Sequence, residues 1–123
     1  MTPLLVVAVL VAGAVGAIAR YLLARRFPLR PHGRLPWGIL IANLAGSAVA
    51  GVVLGLAERA AIGQDLRLVL ATGFCGGLTT FSTWTVESVE LLDAGRWRPA
   101  LANVAVTLAL GLAAAAGGYL LAR

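Results

Sequence analysis

Between Gly73 and Glu87 the chain reads GFCGGLTTFSTWTVE, in which Gly73, Gly76 and Gly77 precede Thr79, Thr80, Ser82, Thr83 and Thr85 inside a long apolar stretch. A lipid-facing helix has no use for such an interruption. In a bilayer every backbone N–H and C=O needs a partner, and broken backbone persists only where protein buries it or a wet cavity meets it. Glycine costs about 1 kcal/mol in a helix interior, so Gly76-Gly77 is the expected break, with Thr79 or Thr80 capping a second half-helix. A break of this kind offers chemistry to two ions. The end of the first half exposes carbonyls suited to a cation; the start of the second points N–H groups and a positive dipole end at an anion. Phe81 and Trp84 lie three apart and share one face of the second half.

Other polar residues sit in apolar surroundings. Asn43 and Ser47 are four apart, with Gly46 and Ala50 on the adjoining strip, and Asn103, Thr107 and Gly111 follow one another at steps of four. Such residues serve either as interhelical glue or as donors along a path. Arg20 closes the first apolar run, where a long cationic side chain can snorkel to the headgroups. Thr83, Glu87 and Glu90 lie along one strip of the second half-helix, near the membrane edge.

The elements that position these residues follow from hydropathy. The 123 residues are 60% hydrophobic and 12% charged, with a mean hydropathy of +0.92, far from the composition of a soluble domain. Four spans of roughly 20 residues account for the length, at residues 3–23, 36–57, 66–92 and 100–121. The first has no basic segment before it and three apolar spans after it, so it reads as a retained helix and not a signal peptide. The loops are Arg25–Pro36, with three prolines and four arginines, Glu58–Arg67, with Gly63 as a helix stop, and Asp93–Pro99, with Trp97 at the interface. The fold class is therefore an all-α membrane protein in a single domain. Small residues at Gly13-x-x-x-Ala17, Gly16-x-x-x-Arg20 and Gly51-x-x-x-Gly55 mark close helix contacts. Four thin helices enclose little alone, so an oligomer is expected.

Several function classes fall away. The net charge of +5 resides in ten arginines, mostly in short loops, which points to membrane orientation and not to nucleic acid. A lone cysteine, Cys75, forms no internal disulfide, and His32 stands in a loop without a second metal ligand. No metal cluster, Ser–His–Asp set or phosphate loop is present in the sequence, so the chain does not read as an enzyme. A small four-helix multidrug exporter needs an acidic residue deep in a span; the first span carries only Arg20, of the opposite sign. A non-conducting structural subunit remains as a third reading, but it leaves the polar stripes without a purpose.

The stretch GFCGGLTTFSTW resembles the signature of the Fluc (CrcB) fluoride channels, GG-x-TTFST-F at a break in the third transmembrane helix. GAIARY at Gly16–Tyr21 and NLAGS at Asn43–Ser47 match as well, so the resemblance covers nearly the whole chain. It implies a fluoride-selective channel, passively exporting the ion across the bacterial inner membrane, built as an antiparallel dual-topology homodimer or as a pair with a homologue. The ion pathway it implies comprises Asn43, Phe81, Trp84, Ser82, Thr83, Asn103 and Thr107, with Arg20 near the vestibule. It also implies a structural sodium ion at the dimer centre, held by the carbonyls of Gly76 and Thr79 from both subunits. A small anion holds its water tightly, so hydroxyl and amide donors and the positive edges of aromatic rings must replace that shell. Two phenylalanines three apart do this in the family. Here Trp84 takes the second place, which adds bulk and an indole N–H donor, and Gly111 stands where a further hydroxyl is expected. One side carries Arg25, Arg26, Arg30, Arg34, Arg96 and Arg98 and the other Arg59, Arg67 and Arg123; the richer side is expected to face the cytoplasm more often.

Overall fold

The computed structural model describes residues 1–28 and 35–123, and among these every regular element is helical. His32, Arg30 and Arg34 lie outside the described residues. Helix α1 spans Pro3–Arg26 and α2 spans Trp37–Glu58; Gln64–Arg67 (α3), a π-helical segment Leu68–Cys75 and Gly76–Leu78 (α4) follow one another without a gap. After Thr79 and Thr80, α5 spans Phe81–Asp93 and α6 spans Trp97–Ala122. Helices α1, α2 and α6 are each long and apolar enough to cross a membrane.

The helix ends have local causes. Thr2 caps α1 by accepting from the Leu5 N–H at 3.2 Å, and Pro3 occupies the first helical turn, where its missing N–H is no loss. Arg25 and Arg26 form the last turn of α1, where positive charge meets the negative end of the helix dipole. The helix thus runs three residues past the expected limit. Gly63 does not stop α2. That helix closes at Arg59, Ala60 turns left-handed with φ 58°, and Gly63 instead enters α3 in an extended conformation. Between α5 and α6, Gly95 adopts φ 75°, and the Arg96 N–H returns to the Leu91 carbonyl at 2.8 Å. This compact turn lets α6 begin at Trp97, inside the expected loop, with Pro99 in its first turn.

Small residues set the packing. Helix α2 pairs most extensively with α6, and α1 with the π-helical segment and α4. A side chain at Gly51 would run into the Ala115 backbone, and one at Gly77 into the backbone of Gly13. Gly77 is therefore a contact glycine. It and Gly76 remain helical, and the extended residues come later, at Thr79 (φ −85°, ψ 154°) and Thr80 (φ −147°, ψ 126°). The helical stretch therefore does not end at Gly76-Gly77: Gly77 brings α1 close, and helix resumes at Phe81 only after the two extended residues. Gly118 and Gly117 separate the same two roles: a Cβ at Gly118 would lie 2.5 Å from the Ala48 carbonyl oxygen, whereas nothing lies within 4 Å at Gly117. Gly118→Ala should therefore destabilise the protein by about 1–3 kcal/mol through overpacking. Gly117→Ala should be neutral or stabilising by up to about 1 kcal/mol. Thermal unfolding of the two variants in one detergent checks this, and equal melting temperatures would contradict the packing assignment.

Candidate functional site

The site is built on the two extended residues. Thr80 is held from across the molecule by a side chain 37 positions earlier. Asn43 Nδ2 donates to the Thr80 carbonyl at 3.1 Å, and the Thr80 N–H donates to Asn43 Oδ1 at 2.8 Å. The carboxamide thus answers both backbone groups of a residue that belongs to no helix, as a strand neighbour would. Thr80 in turn caps α5, its Oγ1 accepting from the Thr83 N–H at 3.2 Å and donating to Thr83 Oγ1 at 3.2 Å. Ser82 Oγ lies 3.2 Å from the same oxygen. On the other flank, Thr79 Oγ1 donates to the Cys75 carbonyl at 2.9 Å, and its methyl group packs over Gly46.

This arrangement diverts two helical donors. In a continuous helix the Gly76 carbonyl would accept from the Thr80 N–H and the Thr79 carbonyl from the Thr83 N–H. Those N–H groups go instead to Asn43 Oδ1 and Thr80 Oγ1. A neutral carbonyl oxygen that loses its helical donor suits a hard cation and not a soft transition metal. Gly76 is exposed, and a Cβ added there would meet no other element within 4 Å. At the start of α5, the first turn holds no acidic residue, so its N–H groups and dipole end favour an anion.

A groove of about 390 Å³ lies beside the junction. It gathers Asn43, Thr80, Phe81, Trp84 and Thr107, with Ser47 and Gly111 further along. Phe81 is 75% exposed on this side and meets Trp84 edge to face, the ring centroids 5.4 Å apart and the planes at 64°. The Trp84 indole N–H does not point into the groove as a spare donor. It donates to the Asn103 carbonyl at 3.3 Å, which ties α5 to α6 and leaves ring C–H groups to face the groove. Thr107 Oγ1 is buried and has no protein partner among the described residues. The Ser47 hydroxyl is spent on the Asn43 carbonyl at 2.8 Å. Asn103, four residues before Thr107, is wholly buried and donates from Nδ2 to Ser88 Oγ at 2.9 Å. Ser88 donates to the Trp84 carbonyl at 2.8 Å. The stripe read along α6 therefore divides, with Thr107 and Gly111 on the groove and Asn103 in the α5–α6 seam.

Among the other residues named from the sequence, Ser82 and Thr83 bond to Thr80 and Arg20 is half-buried on α1, and none of the three lines the groove. Ser88 was not singled out. Its signal was present, since it stands four residues after Trp84, but a serine among apolar residues reads equally as packing.

The profile of one protein family, described as "CrcB-like protein, Camphor Resistance (CrcB)", matches residues 7–119. Curated relatives agree along most of the chain. The protein named fluoride-specific ion channel FluC from Geobacter sulfurreducens is 41% identical over 100% of this chain and 98% of its own. Two from Symbiobacterium thermophilum, named fluoride-specific ion channels FluC 1 and FluC 2, are 44% and 46% identical over 85% and 83% of this chain, and 86% and 84% of their own.

The bracing by Asn43 has a measurable consequence. Asn43→Ala removes the partners of both Thr80 backbone groups, and each buried orphan costs about 1–3 kcal/mol. A drop in stability of that size or larger is expected by thermal unfolding in detergent. Unchanged stability would show that the junction holds itself.

Proposed function

Because this chain belongs to the CrcB-like family, whose profile spans residues 7–119, we propose that it is a fluoride-selective channel that passively exports the ion across a bacterial inner membrane. The observation that carries the reading is the groove, which brings donors from α2, the junction, α5 and α6 together on one side of the chain. Fluoride gives up water only where equivalent donors replace it. The Asn43 amide has a second N–H beyond the one bonded to Thr80, and Thr107 keeps a hydroxyl without a protein partner among the described residues; Thr83, which accepts from Thr80, does not line the groove. The Phe81 and Trp84 edges present positive C–H groups. Conduction needs such contacts to be adequate at each step and none of them too tight.

The same groove supports a dimer. Phe81 is largely exposed in a single chain, and so are the apolar side chains along α1, so a second copy is needed to turn an open groove into a pore. We infer an antiparallel homodimer in which the divided segment, Gln64–Leu78 followed by Phe81–Asp93, acts as the broken third span. The released carbonyls of Gly76 and Thr79 would hold sodium, which supplies positive charge that fixes the junctions of the two subunits. The paired names of the Symbiobacterium relatives favour a second arrangement, in which this chain pairs with an oppositely oriented homologue.

Liposomes containing the purified protein should release fluoride much faster than chloride. Phe81→Ile should slow fluoride release while the protein stays folded, and replacing sodium by N-methylglucamine on both sides should reduce it. Equal efflux of the two anions would refute the selectivity, and full efflux without sodium would refute the cation's role. Orientation is read separately, from reporters fused to the C-terminus. Signal on both faces of the membrane is expected for the homodimer. Signal on one face, with activity only after a homologous chain is supplied, would establish the mixed pair instead.

A further inference from the structure

Where α2 ends, a second cavity of about 540 Å³ opens between the ends of α2 and α6 and the connector to α3. It shares no lining residue with the groove. Leu54, Ala57 and Ile62 form apolar walls, while Glu58, Arg67 and Tyr119 bring polar groups to the same space. Its size lies in the range of small-molecule sites, about 300–1,000 Å³. We propose that this cavity binds the headgroup of an aminophospholipid, a phosphate diester carrying a primary ammonium.

The chemistry is complementary in both charge and place. Glu58 and Arg67 are opposite charges on one cavity, yet their hydrogen bonds go elsewhere. The Tyr119 hydroxyl donates to Glu58 Oε2, and Arg67 Nη1 donates to Gln64 Oε1 at 3.4 Å. Arg123 lies over the Tyr119 ring at 5.9 Å, so the tyrosine that orients the carboxylate is itself braced. A guanidinium matches a phosphate with paired N–H donors, and a carboxylate matches a primary ammonium. The cavity stands at the ends of two apolar helices, α2 and α6, the level at which lipid headgroups lie. Leu54, 46% exposed on the cavity wall, offers acyl chains an apolar continuation toward the membrane interior. A glycerol headgroup carries the same phosphate but brings neutral hydroxyls, and no positive charge, to Glu58. A choline headgroup has no N–H to give the carboxylate.

Native mass spectrometry of the purified protein in detergent, with phosphatidylethanolamine, phosphatidylglycerol or phosphatidylcholine added at equal concentration, tests the site. Phosphatidylethanolamine should be retained several-fold more than the other two. Glu58→Gln should erase its advantage over phosphatidylglycerol, Arg67→Gln should lower retention of all three, and Arg67→Lys should restore part of it. Soluble glycerophosphoethanolamine in excess should displace the lipid only weakly; strong displacement would assign the site to the free phosphate ester and overturn its lipid character. Equal retention of the three lipids, or variants that match the unaltered protein, would overturn the proposal. So would loss of the dimer mass in place of the lipid mass, which would make the cavity a seat for a second copy. Fluoride efflux by Glu58→Gln is expected to be unchanged, so failure here is separable from failure of the channel reading.

Discussion

The two hydrogen bonds between the Asn43 carboxamide and the Thr80 backbone make the rest of the site possible. A pair of extended residues in an apolar environment leaves peptide groups without helical partners, and each such group is costly when it is not answered. One asparagine on α2 answers both at Thr80. With the chain held there, Thr80 can cap α5 and Phe81 can stand out from the first turn. Bracing does not exhaust the side chain, since an amide has one acceptor and two donors to share and Asn43 also lines the groove.

Close helix contact supplies the framework in which that bond can form. The membrane offers little hydrophobic drive for helix association, so packing of small residues carries it. Gly77 against Gly13 sets α1 on the segment before the junction, and Gly51 against Ala115 sets α2 on α6. Gly46 under the Thr79 methyl group brings α2 against the junction itself, and the two Asn43 bonds depend on that close approach. The groove inherits its shape from the same contacts, because its walls come from α2, α5 and α6.

The seam between α5 and α6 shows how polar groups within a membrane protein are shared out. Trp84, Ser88 and Asn103 bond to one another in the seam, although Asn103 Oδ1 is left without a partner among the described residues, while Thr107, one turn along α6, keeps its unpartnered hydroxyl at the groove. Side chains of similar polarity on one stripe thus divide between holding helices together and lining the proposed path. Trp84 has a part in both, its N–H in the seam and its ring edge toward Phe81.

Much of this protein was legible in the sequence, because local chemistry is written locally. Apolar runs of the right length specify the helices, the hydroxyl after the glycines marks a cap, and the Phe81–Trp84 spacing places two rings on one face. The motif that carries the family resemblance is likewise a short, contiguous stretch. What sequence could not specify is which polar group meets which. Gly76-Gly77 reads as a break by propensity, yet α1 packs against Gly77 and the interruption falls at Thr79-Thr80, where Asn43 can reach the backbone. An indole N–H reads as a donor for an ion, yet α6 lies close enough to take it with the Asn103 carbonyl. Asn103 and Thr107 look alike on a helical wheel, and only the crossing of α5 buries the first and leaves the second at the groove. In each case the deciding partner lies on another helix, and the distance to it is set by packing between elements, which no local pattern of residues encodes.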